Sequence, residues 1–331
     1  MKIGSTRYVP PDFARSVVSH LVLNRAKAVN PDIKAPSVLI VQGPTGSGKT
    51  TTTRFLCKAI SAPLYEIHGK DMVSQWEGQG TKALEEKCIE AANDPSPFQP
   101  VVLLDDAEMG GLRVDEHFTG TVNNNASSGW LMRFADNPKE LRVESDKAPP
   151  RIMRFKRPAA LIMTVNNISA LHSPMVREGR AAICTLDPQG IDLQRVLAGM
   201  YPNLSVRQAG QLVRKFPDKS IAFFADLGAH LTKNAAMRLA QRQGFDFNGL
   251  DWSQLSASVA QASQGATLSQ LVEVAEELAL QSRKTNFVPS AKTASAQTPQ
   301  LPKAKGLNGY GNGFLHSEGN PHQPHIPPVK I

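Results

Sequence analysis

The sequence predicts an α/β domain built on a five-stranded parallel sheet, followed by a small all-α domain. In the first half of the chain, short apolar runs alternate with helical patterns, which is typical of a parallel sheet with crossover helices. From about Gly190 these runs disappear, and apolar residues recur at helical spacing instead. We therefore expect an α/β domain over residues 1–188, a helical domain over 189–284 and a tail over 285–331.

Each element of this prediction corresponds to a defined run of residues. The candidate strands are Ser37–Gln42, Pro63–Ile67, Pro100–Leu104, Ala159–Val165 and Ala182–Leu186, and the helical stretches are Leu193–Met200, Val206–Val213, Ile221–Leu231 and Leu268–Leu280. The chain after Lys284 is rich in Pro, Gly, Asn and His, and it cannot bury enough apolar surface to offset the entropy of ordering. We interpret it as a tether, with a docking role for its Asn308–Phe314 stretch as the alternative.

The composition favours a globular protein and argues against a membrane or secreted one. The chain has 331 residues and is 41% hydrophobic, enough for a large core and roughly two domains. No run approaches the ~20 apolar residues of a membrane span, and the first residues lack a secretory pattern, so we expect a cytoplasmic protein without a membrane partner. Cys57, Cys88 and Cys184 lie far apart and are expected to be reduced residues in or near the core.

The net charge of +8 is a weak indicator of nucleic-acid binding. Four lysines and one glutamate follow Lys284, so three of these charges belong to the tail, and the other five are spread along the chain. The sequence shows no helix-turn-helix, zinc finger or aromatic RNA-binding strand. A nucleic-acid partner is therefore not expected.

A glycine-rich loop between the first strand and a helix matches the phosphate-binding pattern G-x-x-x-x-G-K-T, the P-loop or Walker A motif. Its glycines let successive backbone N–H groups point at a phosphate, and the positive end of the following helix adds to the attraction. Lys49 is expected to reach the β- and γ-phosphates of ATP, and the Thr50 hydroxyl to bind Mg²⁺. The expected nucleotide-binding residues are Gly43, Pro44, Thr45, Gly46, Ser47, Gly48, Lys49, Thr50 and Thr51.

Acids and an amide follow two later strands of the predicted sheet. Asp105 is expected to hold Mg²⁺ through its water shell, and Asp106 to orient and deprotonate the attacking water. A share of the second role could fall to Glu108. Asn166, at the end of the Ala159–Val165 strand, is our choice for a sensor of the γ-phosphate or the lytic water. Together with the phosphate loop, these residues predict an ATPase of the AAA+ type.

Two arginines and one tryptophan predict action beyond a single subunit. Arg177 and Arg180 flank a glycine, and a planar, always charged group suits a phosphoryl transition state on a neighbouring subunit. This implies an oligomeric ring, with six subunits as the expectation; a surface pair on a turn is the alternative. Trp76 follows the second strand, where AAA+ rings place a pore loop, and its flat face could grip a polypeptide. The alternative is a tryptophan packed under its own loop.

Four segments resemble Rubisco activases, in the same order along the chain. They are Phe118–Asn125, Leu131–Pro138, Val176–Arg180 and Lys215–Phe224, and the resemblance runs from about Tyr8 to Lys284. It implies a hexameric remodelling ATPase that releases inhibitory sugar phosphates from Rubisco by pulling on its large subunit.

The sequence also departs from the activase pattern. Asp105-Asp-Ala-Glu108 stands where activases commonly have Asn-Asp-Leu-Asp, and most AAA+ proteins have Glu in place of Asp106. Gly228 and His230 fall where activases tend to have arginines, so no second sensor is assigned. Remodelling of a different protein complex, and a DNA-associated motor or loader, are the alternatives to a Rubisco client.

Overall fold

The computed structural model describes residues 7–72, 81–110, 122–145, 148–171, 173–177, 179–242 and 251–285. The helices are α1 (Pro11–Val29), α2 (Lys49–Ala59), α3 (Lys82–Ala92), α4 (Val122–Asp136), α5 (Gly190–Met200), α6 (Val206–Lys215), α7 (Ile221–Arg242), α8 (Trp252–Gln264) and α9 (Leu268–Thr285). The strands are β1 (Val38–Gln42), β2 (Leu64–His68), β3 (Val101–Asp105), β4 (Glu140–Ser145), β5 (Ala148–Arg154), β6 (Ala160–Val165) and β7 (Ala181–Thr185). All of these elements up to Arg283 belong to one compact unit, Met1–Arg283.

The predicted five-stranded parallel sheet is confirmed, with the strand order β2-β3-β6-β1-β7. The three inner strands read as continuous apolar runs because a parallel sheet is covered on both faces. Alternate residues of each strand enter opposite layers: Val38 and Ile40 pack in one apolar cluster, while Leu39 and Val41 pack in the other. Helices α3 and α4 contribute to the first cluster, and α1 and α2 to the second.

An antiparallel hairpin between α4 and β6 was not predicted. Its strands β4 and β5 pair from Glu140 with Arg154 to Ser145 with Ala148. Leu141 on the inner face is buried against the core, whereas Arg142 and Ile152 on the other face are exposed. The hairpin is hard to predict from the sequence because Pro149 and Pro150 lie within β5, and proline within sheets is normally confined to edge strands, strand starts and bulges.

The helical part forms its own apolar cluster from α5, α6, α7 and α9. Helix α6 begins with a capping box in which the Ser205 hydroxyl accepts the Gln208 backbone N–H and the Gln208 side chain accepts the Ser205 N–H. The predicted helical stretches all lie in helices, and α8 is an addition to them. No measurement tests the predicted boundaries at 188 and 284, which stay a prediction.

The three cysteines are free and buried, as expected for core residues. Burial raises the pKa of the Cys57 thiol to about 12, so this sulfur stays protonated. No helix among the described residues is both long and apolar enough to cross a lipid bilayer.

Candidate functional site

The sheet brings the predicted site residues to one edge. The phosphate loop follows β1, whose last residue Gln42 pairs with Val165 of β6. Asp105 ends β3 and lies opposite His68, the last residue of β2. Because the carboxyl ends of parallel strands meet at the same edge, predicted site residues as distant in sequence as Thr45 and Asn166, 121 positions apart, come into contact there.

Glycine is required at two positions of the phosphate loop for different reasons. A Cβ atom on Gly43 would lie 2.2 Å from the carbonyl oxygen of Leu186, a backbone atom that cannot swing away. Gly48 takes a φ of +85° immediately before α2, a backbone conformation that disfavours side chains. The loop therefore curls tightly around the N-terminus of α2.

Lys49 is the most enclosed cation of the site, with only 6% of its surface exposed. Its ammonium donates to the carbonyl oxygens of Gly43 at 2.7 Å and Pro44 at 3.2 Å, and to Asn166 Oδ1 at 2.9 Å. Burial lowers the pKa of Lys49, and the nearby carboxylates, Asp106 foremost, oppose that change. The ammonium is thus held by oxygens of both the loop and the β6 end.

Asn166 connects the phosphate loop to the acidic segment. Its Oδ1 accepts from Lys49 and, at 3.2 Å, from the Thr45 hydroxyl, while its Nδ2 donates to Glu108. Both Glu108 oxygens also accept the Asn166 backbone N–H, at 3.1 and 3.0 Å. These contacts favour a role for Glu108 in orienting Asn166, in place of the share in water activation that we had considered.

Asp105 lies between two hydroxyl groups. Its Oδ1 accepts from the Thr50 hydroxyl and, at 2.6 Å, from the Thr164 hydroxyl. Thr164 is completely buried and was not identified from the sequence, although its place in the β6 run is the signal that could have found it. A hydroxyl beside a carboxylate next to a phosphate loop is the set of oxygen ligands that Mg²⁺ prefers, so the residues present fit that ion.

Asp106 is held in an unusual backbone conformation. Its φ is +49°, and its N–H donates to the Thr164 hydroxyl at 2.9 Å. Its Oδ2 lies 3.3 Å from His68 Nε2. The residue therefore turns sharply away from β3, with its carboxylate beside His68.

His68 was missed because the sequence does not reveal which strands are neighbours. Its Nδ1 accepts the Lys70 backbone N–H at 3.2 Å, and a neutral imidazole in that role carries its proton on Nε2. The ligand atoms of His68, Asp105 and Asp106 lie within 4.8 Å of one another. Because Nε2 carries the proton, we interpret His68 as a hydrogen-bond donor to Asp106 and not as a metal ligand.

A cavity of about 450 Å³ extends from the phosphate loop to the helical part. Its lining residues at the far end are Arg7, Tyr8, Pro10, Pro188, Val196, Met200, Ala225 and Asp226. Tyr8 is fixed there, since its hydroxyl donates to Asp192 Oδ1 at 2.5 Å and the Arg195 guanidinium lies 5.6 Å from its ring centre. A polar phosphate end and a largely apolar far end match the two halves of a nucleotide.

Helix α7 contacts the phosphate loop directly. The Ala222 N–H donates to the Gly46 carbonyl oxygen at 3.0 Å, and Gly46 takes a φ of +77°. Gly228 lies elsewhere on α7, where a Cβ atom would come within 2.6 Å of Ser263 Oγ. Among the described residues that α7 contributes to the cavity none is basic, so we still assign no second sensor.

The two arginines of the predicted pair differ in their contacts. Arg180 donates to both carboxylate oxygens of Asp136, at 2.8 and 3.0 Å, and this carboxylate raises the pKa of the guanidinium. Arg177 is exposed. Neither belongs to the described lining of the cavity, so a role on another subunit's nucleotide stays a prediction. Trp76 and the Phe118–Thr121 part of the resemblance lie outside the described residues.

Comparison with known proteins gives one family domain and a group of relatives. The family "ATPase family associated with various cellular activities (AAA)" matches residues 39–186. Ribulose bisphosphate carboxylase/oxygenase activase from Nostoc sp. is 26% identical over 243 residues, 72% of this chain and 57% of the relative. The activase from Anabaena sp. is 25% identical over 322 residues, covering 91% and 76% of the two chains. The chloroplastic activase from Chlamydomonas reinhardtii is 25% identical over 274 residues, covering 82% and 66%.

These similarities agree with the geometry. The matched segment begins at the second residue of β1 and ends just after β7, so it contains all of the parallel sheet except Val38, together with the phosphate loop and the acids at the end of β3. The chain spans between 57% and 76% of the length of the three relatives. The predicted AAA+ domain and the resemblance to activases are both confirmed: residues 39–186 match the AAA ATPase family, and most of the chain is similar to activases at about 25% identity.

Proposed function

We propose that this chain hydrolyses ATP and uses the energy to remodel a client protein. The observation that carries the proposal is the contact of the Thr50 hydroxyl with Asp105 beside the glycine-rich loop. In this arrangement a phosphate-binding loop, an oxygen pair for Mg²⁺ and a second carboxylate lie at one sheet edge. Phosphoryl transfer needs little more than such positioning and charge stabilisation.

Each described side chain has a distinct task in this proposal. Lys49 exchanges its loop carbonyls for the β- and γ-phosphates of ATP. Thr50 and, through the water shell of the ion, Asp105 would hold Mg²⁺, which would neutralise charge on the phosphates. Asp106 orients and deprotonates the attacking water, and Asn166 positions that water or the γ-phosphate.

Hydrolysis in this proposal is completed by a second subunit. The turn that carries the predicted arginine pair lies outside the cavity and supplies an arginine to a neighbour's nucleotide, which implies a ring, with six subunits as the expectation. An arginine supplied in this way raises phosphoryl-transfer rates by about 10³–10⁵. Isolated subunits should therefore turn over slowly.

The client in this proposal is Rubisco, which would be freed of inhibitory sugar phosphates. Support comes from the printed names of the relatives and from the activase-like segments of the sequence. Trp76 would contact the client in the central pore. At about 25% identity, a different client is the alternative that the experiment must separate.

Two variants test the ATPase. Lys49→Ala should abolish nucleotide binding, whereas Asp106→Asn should bind ATP but not hydrolyse it, because only the water-activating carboxylate is lost. Glu140→Gln, on the exposed hairpin face, is the matched control and should behave as the wild type. Undiminished ATP turnover by both site variants, measured as phosphate release, would refute the assignment.

Reactivation of inhibitor-bound Rubisco tests the client. We expect carboxylase activity to recover with the wild-type chain and ATP, and not with Asp106→Asn or with ATP omitted. Turnover of ATP without any reactivation would indicate a different client. Stimulation of that turnover by DNA, lost at higher salt, would favour the DNA-associated class instead.

A further inference from the structure

The turn that carries Arg177 and Arg180 is built around a set of contacts of Arg180. The guanidinium donates from Nε and one terminal nitrogen to the two oxygens of Asp136, and from the other terminal nitrogen to the Pro174 carbonyl oxygen at 3.0 Å. Asp136 is the last residue of α4. This fork-shaped pairing uses the planar geometry that a lysine could not supply.

These contacts join three elements at one point. Pro174 lies in a short 3₁₀ helix, Ser173–Met175, whose Met175 is buried in the core, and β7 begins directly after Arg180. Moving the Arg180 side chain toward another subunit would break all three hydrogen bonds and leave the Asp136 side chain at the end of α4 without this partner. Arg180 is therefore a poor candidate for a group that reaches outward.

Arg177 has the opposite environment. Its side chain is exposed, and it makes no hydrogen bond or ion pair with any other residue that the structure describes. The Arg180 N–H donates to the Arg177 carbonyl oxygen at 3.1 Å, and Gly179 between them takes a φ of +88°. This tight turn ties the backbone of Arg177 to the anchored Arg180.

We propose that Arg177 alone contacts the neighbouring subunit's nucleotide, and that Asp136 and Arg180 form a positioning pair that aims it. The inference rests on the proposed function and revises our expectation that both arginines act in trans. It adds Asp136, 44 residues before Arg180, to the residues on which hydrolysis depends.

The decisive variant is Asp136→Asn, because the two assignments predict opposite results. If Arg180 only positions, Asp136→Asn and Arg180→Ala should each lower kcat by about ten- to a hundredfold with KM for ATP unchanged, since a misplaced group loses most of its effect. The double variant should lose no more than either single one. Arg177→Ala removes the group itself and should lower kcat by at least about a thousandfold.

The opposite outcome would overturn the assignment of Arg180 as a positioning residue. If Arg180 itself touches the neighbour's nucleotide, Asp136→Asn frees it, so kcat would stay at the wild-type level or rise while Arg180→Ala falls as far as Arg177→Ala. Glu140→Gln, which weakens the exposed Glu140–Arg154 ion pair whose Nε–Oε1 distance is also 2.8 Å, is the control and should not change kcat.

Mixed rings separate a positioning effect from misfolding. Asp106→Asn subunits cannot activate water, but their Arg177 is correctly placed. Asp136→Asn subunits have an intact nucleotide site but a misplaced Arg177. In a mixed ring, Asp106→Asn subunits should therefore supply Arg177 to the sites of Asp136→Asn neighbours and restore turnover there. No restoration would mean that Asp136 is structural and would refute the inference. A wild-type chain without any ATP turnover would refute the proposed function, and this inference with it, whereas an unaffected Asp136→Asn beside a complemented Arg177→Ala refutes the inference alone.

Discussion

Replacing Thr164 by valine removes one hydroxyl from the centre of the site and leaves the shape of the side chain nearly unchanged. The residue is completely buried, and its hydroxyl donates to Asp105 at 2.6 Å and accepts the Asp106 N–H at 2.9 Å. A hydrogen bond to a charged group contributes about 1.5–3 kcal/mol, and a neutral one about 1 kcal/mol. We expect Thr164→Val to lower the free energy of unfolding by about 2–4 kcal/mol.

The same substitution should weaken the Mg²⁺ side of the nucleotide site. Among the described residues, Asp105 then keeps the Thr50 hydroxyl as its remaining side-chain donor, and Asp106 loses the acceptor that helps to hold its φ of +49°. We expect the affinity for MgATP to fall about tenfold, equivalent to about 1.4 kcal/mol. The affinity for ATP without Mg²⁺ should change little, since the phosphate loop keeps all its contacts.

Urea denaturation measures the stability term, and titration calorimetry with and without Mg²⁺ measures the two affinities. Thr164→Ser is the matched control: it keeps the hydroxyl and loses a buried methyl group, so it should retain MgATP affinity at a stability cost of about 1 kcal/mol. A Thr164→Val chain that is as stable as the wild type and binds MgATP equally well would contradict this account of Asp105 and Asp106.

Three further predictions each concern one residue. His68→Phe removes the donor to Asp106, so kcat for ATP should fall about tenfold with unchanged KM, and steady-state kinetics that show a KM effect alone would count against the assignment. Gly43→Ala places a Cβ atom 2.2 Å from Leu186 O, so calorimetry should detect no nucleotide binding; normal affinity would mean that the loop can shift. Burial lowers the pKa of His20 to about 4. As pH falls from 6.5 toward 4, this histidine therefore takes up a proton in the unfolded chain but not in the folded one, and the folded state loses stability. Urea denaturation should show a loss of about 3 kcal/mol across this pH range. His20→Gln cannot take up this proton, so its stability should not show that loss.

The phosphate site could be predicted from the sequence because its signals are local. The loop from Gly43 to Thr50 has fixed spacing, and the strands around it are uninterrupted apolar runs. The acids at 105 and 106 follow such a run directly, so their place at the sheet edge follows from strand direction alone. For these residues, the local sequence pattern is therefore enough to predict where they lie in the fold.

The remaining contacts depend on which distant segments become neighbours. His68 meets Asp106 because β2 lies beside β3, and Arg180 meets Asp136 because α4 ends near the start of β7. A single sequence, taken alone, contains no direct signal of either pairing. The β4–β5 hairpin was hidden for a different reason, since its two prolines argue against a strand. The role of Trp76 stays a prediction.

The hydrogen bond from the Ala222 N–H to the Gly46 carbonyl has a mechanical consequence. Gly46 lies in the loop that is predicted to bind the phosphates, and Ala222 is the second residue of a long helix. A rotation of that helix must either break this bond or drag the loop with it. The orientation of the helix and the shape of the loop are therefore coupled. Binding or release of a phosphate at the loop would move the helix through this backbone hydrogen bond, without a charged side chain between them.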